Sequence, residues 1–264
     1  MPDIGVIAGS GIYNIPDFEI TGSVKVSTPF GEPSDIYRTG RFAGKEIVFL
    51  PRHGSMHHIP PHRINYRANM WGFRELGVSR LLSVGATGGI TGRMLPGSIV
   101  VLDQIIDMTS GRKSTFYDED EVVHIDFTEP FCPDLRRELA EAAENAGIGV
   151  VEKGTYIAVN GPRLETAAEI RAYAGLGADV VGMTGMPEAV LARELEICFG
   201  GLAIVTNAAA GISEGKLTAT EVVEAMQATT ERIRILLKAF FSHEPVRQSA
   251  CGCRSALKHA RMQA

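Results

Sequence analysis

The chain has 264 residues, 45% of them hydrophobic, and a formal net charge of −5, with a sequence pI of about 5.8. That length permits one large domain with a sizeable core. The acidic balance argues against a dedicated nucleic-acid binder, which would carry a basic face, but leaves room for a small anion held by a few placed donors.

The opening run MPDIGVIAGSG has no basic segment ahead of an apolar stretch, so no signal peptide is expected. The longest apolar runs, Ile99–Leu102 and Leu202–Val205, are strand-sized and far short of a membrane span. The expectation is a soluble, cytoplasmic protein with no membrane partner.

Short β-branched runs alternate with helical patterns along the chain. Strands are expected at Ile4–Ala8, Glu46–Leu50, Arg80–Val84, Ser98–Leu102, Gly154–Ala158, Asp179–Met183 and Leu202–Thr206. Several are apolar almost throughout, as strands buried on both faces are. Helices are expected at Asp134–Ala146, closed by Gly147, then at Glu165–Ala174, Pro187–Leu195 and Thr220–Phe241. The last would start at Thr218 or Thr220, with Glu221 and Glu224 in its first turn. This alternation predicts an α/β three-layer sandwich around a mixed, mostly parallel central sheet. A single domain would span 1–241. Residues 242–264 differ in composition and read as a frayed tail or a short helix docked on a neighbouring subunit.

Four constellations fall at strand ends. Gly9-Ser10-Gly11 follows the first strand and offers backbone N–H groups and a hydroxyl to an anion, or simply a tight turn. Arg52 and His53 follow the next strand, placed for bidentate and charge-assisted phosphate contact. His53 and His57 also stand at a zinc-pair spacing. Gly54, Pro60 and Pro61 disfavour the helix such a pair needs, and no Glu lies between them. Gly85-Ala86-Thr87-Gly88-Gly89 reads as a small-residue turn closing the Arg80–Val84 strand. The last group gathers Gly161-Pro162-Arg163-Leu164-Glu165, then Met183-Thr184, then Thr206-Asn207. Here Glu165 has the alternative of being a solvated first-turn helix residue, and Asn207 that of a turn former beside Ala208 and Ala209.

Taken in order, Gly-Ser-Gly, Arg-His-Gly-x-x-His, Asn65-Tyr66-Arg67-Ala68-Asn69, Glu129-Pro130-Phe131, Gly161-Pro162-Arg163, Gly182-Met183-Thr184 and Met186-Pro187-Glu188 resemble the trimeric purine nucleoside phosphorylase and methylthioadenosine phosphorylase family. The resemblance runs from about residue 4 to about residue 240. It implies that phosphate attacks C1′ of a purine nucleoside and displaces the base, with no metal and no organic cofactor, inorganic phosphate being the co-substrate. By position, Ser10, Arg52, His53, Gly85, Ala86 and Thr184 would hold the phosphate. Met183, with Leu164, Ala208 and Ala209, would line the nucleoside site. The assembly it implies is a homotrimer or a dimer of trimers, with small molecules as its other partners.

Base choice follows from two further positions. Family members acting on adenine-type substrates have Asp where this chain has Asn207, and a small residue where it has Glu165. Asn207 donates an amide N–H to O6 or N7 of a 6-oxopurine, and Glu165 accepts from N1–H; adenine has no N1–H and would leave that carboxylate unpaired. The two are therefore the expected catalytic pair, with inosine, guanosine or 5′-methylthioinosine as substrate and 5′-methylthioadenosine as the alternative. A metal-dependent hydrolase built on His53, His57, His58 and His62 and a non-catalytic nucleoside binder are weaker readings. His124 and Thr220 match positions that select the 5′ substituent. The four cysteines, Cys132, Cys198, Cys251 and Cys253, are scattered and form no disulfide framework. Cys251-Gly252-Cys253 resembles a C-terminal pair of some thermostable members, as a small-ring disulfide or as two thiols.

Overall fold

Strands that are apolar on both faces need cover on both, and this chain supplies it. The computed structural model describes residues 2–9, 17–119, 121–213, 219–242 and 251–262. One ten-stranded sheet contains β1 (Ile4–Ala8), β2 (Glu19–Val24), β3 (Tyr37–Phe42), β4 (Lys45–Pro51), β5 (Arg80–Gly89), β6 (Ile99–Val101), β7 (Gln104–Asp107), β8 (Thr155–Ala158), β9 (Val180–Gly182) and β10 (Cys198–Ala208). The helices are α1 (Tyr66–Glu75), α2 (Pro133–Asn145), α3 (Ala167–Gly175), α4 (Gly185–Glu194) and α5 (Ala219–Ser242).

Successive strand residues point to opposite faces, and each face has its own core. Val6, Leu82, Leu202 and Ile204 pack with Leu135 and Leu139 of α2 and Leu236 and Leu237 of α5. Ile7, Leu81, Ala203 and Val205 pack with Met70 and Phe73 of α1 and Leu191 of α4. The result is the expected three-layer sandwich. The pairings β1–β4, β1–β5, β5–β10, β7–β8 and β8–β9 are parallel. The strand pairs β2–β3, β3–β4, β6–β10 and β5–β9 are antiparallel.

The expected strands and helices are present, most with ends shifted by a residue or two, while β5 and β10 run longer. Gly147 ends α2 in left-handed backbone, φ +67°. Four elements were not expected from the sequence. β2 is an exposed edge strand, and β3 (Tyr-Arg-Thr-Gly-Arg-Phe) mixes charge with aromatics, so neither carries a continuous apolar run. α1 begins where the Asn65 side chain accepts from the Ala68 N–H, a cap hidden inside a segment noted above only as a motif. β7 is four residues long.

One expectation is corrected. Gly85–Gly89 is no turn: β5 continues to Gly89, paired with β10 as far as Ala208. Gly89 is glycine because backbone crowds it, a Cβ there lying 2.0 Å from the Met94 carbonyl oxygen. The tail, over its described residues 251–262, is not a frayed end. It docks on its own chain, with the Ala260 carbonyl accepting from the His124 N–H at 2.8 Å and the Leu257 N–H donating to Glu196 at 3.1 Å.

Gly89→Ala is expected to destabilise the protein by about 1–3 kcal/mol in urea unfolding, because backbone, unlike a flexible side chain, cannot step aside. An unchanged midpoint would mean the Met94 turn relaxes freely.

Candidate active site

Three strands of the sheet end at one point. β1 pairs with β5 only as far as Val84, and β9 pairs with β5 only at Gly88 and Gly89. Between them the β1 side of β5 has no neighbouring strand among the described residues. The Val84 carbonyl points into this opening, accepting from the Gly9 N–H at 3.2 Å. By the two-residue period of a strand, the N–H of Ala86 points the same way. Ligands of open parallel sheets bind at such a divergence.

Arg52, at the end of β4, crosses this opening and is 1% exposed. Its Nε donates to Glu188 Oε1 at 2.5 Å and its Nη2 to Glu188 Oε2 at 3.0 Å, a bidentate pair with a carboxylate that is itself 0% exposed. Nη2 also donates to Ser83 Oγ at 2.7 Å and Nη1 to the Val84 carbonyl at 3.2 Å. The fork expected to meet phosphate thus meets Glu188 instead. What faces the opening is Nη1, 3.0 Å from where a Cβ on Gly9 would sit and 3.9 Å from one on Gly85. Gly9 is therefore glycine for clearance. Burial works against the Arg52 charge, but the Glu188 carboxylate outweighs it and raises the guanidinium pKa.

His53 is buried beside it. Its Nδ1 lies 2.8 Å from the Ile59 carbonyl, which fixes the proton on that nitrogen. Burial, then the Arg52 charge, pushes its pKa down to about 4. His53 is thus neutral at pH 7. It presents Nε2 toward Gly9 as an acceptor, where the sequence suggested a charged donor. The His53–His57 spacing belongs to a turn, with His57 at φ +50°, and not to a helix. Among the described residues the only group of three or more side chains close enough to share a metal ion is the four cysteines.

Thr184 stands at the N-cap of α4, and the N–H groups of Thr184 and Gly185 donate to the buried Tyr156 hydroxyl at 3.1 and 3.3 Å. Burial raises the pKa of that phenol, so it stays a neutral hydroxyl. The Thr184 Oγ1 lies 4.0 Å from a Cβ built on Gly85. Gly85, Ala86 and Thr184 line one cleft with Ser83, Tyr156 and Gly185. The anion-binding residues expected from sequence therefore converge, apart from Ser10, which lies outside the described residues.

A second set gathers beside the first. Gly161, at φ +61°, closes on Met183, whose Sδ is 2.3 Å from where a Cβ would stand. A Cβ on Gly211 would lie 2.6 Å from the Ala167 Cβ, joining the segment that carries Asn207 to the start of α3. Glu165 precedes that helix and is not in its first turn; Thr166 and Glu169 form the capping box. Burial raises the Glu165 pKa. The Asn207 Oδ1 accepts from the Thr206 hydroxyl at 2.8 Å and its Nδ2 donates to the Ala208 carbonyl at 2.9 Å, which leaves one amide N–H for a ligand. Leu164 is 45% exposed and Ala209 buried. His124 is exposed, and among the described residues no hydrogen bond or ion pair links it to the other candidate side chains. The Thr220 side chain lies outside the described residues.

A phosphorylase superfamily model matches residues 3–242. The chain belongs to the phosphorylase superfamily. It is 51% identical to the 6-oxopurine nucleoside phosphorylase of Pyrococcus furiosus, over 98% of this chain and 99% of that protein. It is 50% identical to a probable S-methyl-5′-thioinosine phosphorylase of Thermodesulfovibrio yellowstonii, over 97% and 96% of the two chains. Among solved structures, the Schistosoma mansoni methylthioadenosine phosphorylase in complex with adenine matches with a TM-score of 0.92 at 32% identity, over 99% of each chain.

Two positioning residues of this phosphorylase were missed by sequence reasoning. Glu188 lay in a recognised motif but had no signal that its carboxylate is buried. Arg112, in an irregular segment, donates to the Met183 carbonyl at 2.8 Å and to the Asn160 carbonyl at 3.0 Å, tying the two halves of the site together.

Glu188→Ala strands a buried cation and should cost about 3–5 kcal/mol. Arg52→Met with Glu188→Leu should recover most of that stability while activity stays lost. Chemical denaturation of both variants decides it, and a cost under about 1 kcal/mol for the single change would show Arg52 independent of Glu188. His53 gives a pH signature. Its folded pKa, about 4, lies below the unfolded value of 6.5, so the unfolded chain binds more protons between the two and stability falls as pH drops through that window. His53→Asn should flatten that part of the stability profile; an unchanged slope would mean His53 is not held neutral.

Proposed function

We propose that this phosphorylase cleaves 6-oxopurine nucleosides with inorganic phosphate, releasing hypoxanthine or guanine and a ribose 1-phosphate, the sugar carrying a 5′-hydroxyl or 5′-methylthio group. The observation that carries the reading is the corner where Arg52 Nη1, His53 Nε2, the Ala86 N–H and Thr184 Oγ1 converge on the opening beside β5. Three of these donate and one accepts. That set fits a hydrogen phosphate, whose single P–O–H donates to His53 while its other oxygens accept.

The chemistry follows from charge. As the glycosidic bond breaks, positive charge develops on the ribose and negative charge on the purine. A phosphate dianion beneath the sugar stabilises the first and becomes the nucleophile at C1′. The free Asn207 amide N–H stabilises the second at N7 or O6. An Asp at 207 would set a carboxylate oxygen against the Ala208 carbonyl, which explains why that residue would need a proton there. Glu165, as the carboxylate, accepts from N1–H of a 6-oxopurine. Met183 and Leu164 supply apolar surface for the sugar and base. No step asks for a metal or an organic cofactor.

The assembly belongs to the same reading: a closed homotrimer in which exposed His124 meets the site of an adjacent subunit. A cytoplasmic location accords with four cysteines held as thiols.

Purified protein given inosine, guanosine, methylthioinosine, adenosine and methylthioadenosine, with and without phosphate, should release only the 6-oxo bases well, and only with phosphate. The inosine to methylthioinosine ratio then assigns the 5′ group. Asn207→Asp with Glu165→Ser should move preference toward the adenine compounds by about two orders of magnitude. Release without phosphate, or a preference that stays put, overturns the reading.

A further inference from the structure

Four cysteines from three distant parts of the sequence meet on the α2–α5 face of the sheet. The Sγ atoms of Cys132, Cys198, Cys251 and Cys253 all lie within 4.8 Å of one another, and the residues are buried apart from the half-buried Cys251. All four are thiols. The Cys198 and Cys251 sulfurs are 3.6 Å apart. Sulfurs on the corners of a tetrahedron around zinc, each at about 2.3 Å from the ion, stand about 3.8 Å from one another. Bonded sulfurs stand at about 2.05 Å. The Cys198–Cys251 pair is far from bonded and close to the spacing of two ligands on one tetrahedral ion.

We propose that Cys132, Cys198, Cys251 and Cys253 together bind one zinc ion, which clamps the C-terminal tail to the body of the enzyme.

Each ligand is held from a different direction. Cys132 caps α2, with its backbone N–H on the Phe199 carbonyl at 2.7 Å. Cys198 opens β10, its N–H on the Ser79 carbonyl at 2.9 Å. Cys251 and Cys253 arrive from the tail, the first fixed by its N–H to Asp134 Oδ2 at 3.0 Å. Two ligands thus come from the packed core and two from a short chelating loop, the arrangement that lets a metal staple a segment with little core of its own.

The charge surroundings suit a dication. Binding would release the thiol protons to solvent and leave four thiolates around zinc, a net charge of −2. Arg193 Nη1 lies 3.6 Å from the Cys253 sulfur, and the N-terminus of α2 points at Cys132, so both offset that charge.

The clamp also reaches beyond the cysteines. Past Cys253 the tail pairs with the segment bearing His124, through the Val123–Arg261 bridge and the Met262 N–H on the Val122 carbonyl at 3.2 Å. Releasing the metal would free both.

The test uses the full chain, without an affinity tag, purified under reducing conditions and analysed for metals by mass spectrometry. About one zinc per chain is expected, released stoichiometrically when a mercurial titrates the thiols. Cobalt added to the stripped protein should give the intense visible absorption of a tetrahedral thiolate site. Cys251→Ser, which alters only the tail's side of the cluster, should lose most of the zinc. It should also melt about 5–10 °C lower than the zinc-loaded parent, while zinc no longer raises its melting temperature. A metal-free protein that gives no cobalt spectrum overturns the proposal. So does a mass short by the hydrogens of two disulfides in the freshly reduced preparation, or zinc retained in full by a Cys251→Ser, Cys253→Ser double variant.

Discussion

A guanidinium that is 1% exposed keeps its charge only if an anion is held against it, and Glu188, 0% exposed, is that anion. The two residues lie 136 positions apart, and bringing them together requires β4 to end level with Val84 of β5 and α4 to start beside that point. The ion pair is costly to assemble and intolerant of half measures. Its return is placement. With Nε and Nη2 tied to Glu188 and Ser83, the guanidinium has one orientation, and Nη1 is aimed at the opening beside β5 before any ligand arrives. His53 is preset in the same way, its proton fixed toward Ile59 and its charge suppressed by burial and then by the neighbouring Arg52. Preorganisation of this kind means that binding need not pay for reorienting donors at the moment of reaction.

Much of this architecture could be read from the sequence, because the residues that build it are written in local patterns. Apolar runs such as Ile4–Ala8 and Leu202–Val205 are strands buried on both faces, and Leu135, Leu139 and Ala142 mark the buried face of α2. The parts that escaped depend on remote partners. β2 and β3 are an edge hairpin whose polar residues carry no core signal, and their pairing becomes visible only in register, Glu19 against Arg41. α1 contains Gly72, which a propensity argument would count against a helix; it is glycine because a Cβ there would lie 2.1 Å from the Tyr37 hydroxyl.

The site divides the same way. Arg52, His53, Thr184, Glu165 and Asn207 stand at strand ends and helix starts, where composition and motif order draw attention to them. Their protonation states and hydrogen-bond directions do not follow from identity alone. His53 is an acceptor because of Arg52 and Ile59, and the Asn207 amide is oriented by Thr206 and Ala208. Glu188 and Arg112 act entirely through others, so no local pattern marks them. The cysteines show the limit most plainly: spaced as they are along the chain, nothing short of the three-dimensional fold puts them in one place.

β5 carries one further implication. It is the only strand that touches the anion corner at Gly85 and Ala86 and also pairs, at Gly88, with Asn207. An extended chain advances about 3.3 Å per residue, so these two ends of the site are held about 10 Å apart by a rigid rod. The separation is a length built into the backbone, independent of any side chain. Loops around the cleft are free to drift and reshape what fits at the 5′ end. A single residue inserted between Val84 and Gly88 would lengthen the rod by one step and turn every side chain beyond it to the opposite face. Diversification of this scaffold is therefore channelled into its rims, and the gauge between its two poles is conserved by geometry.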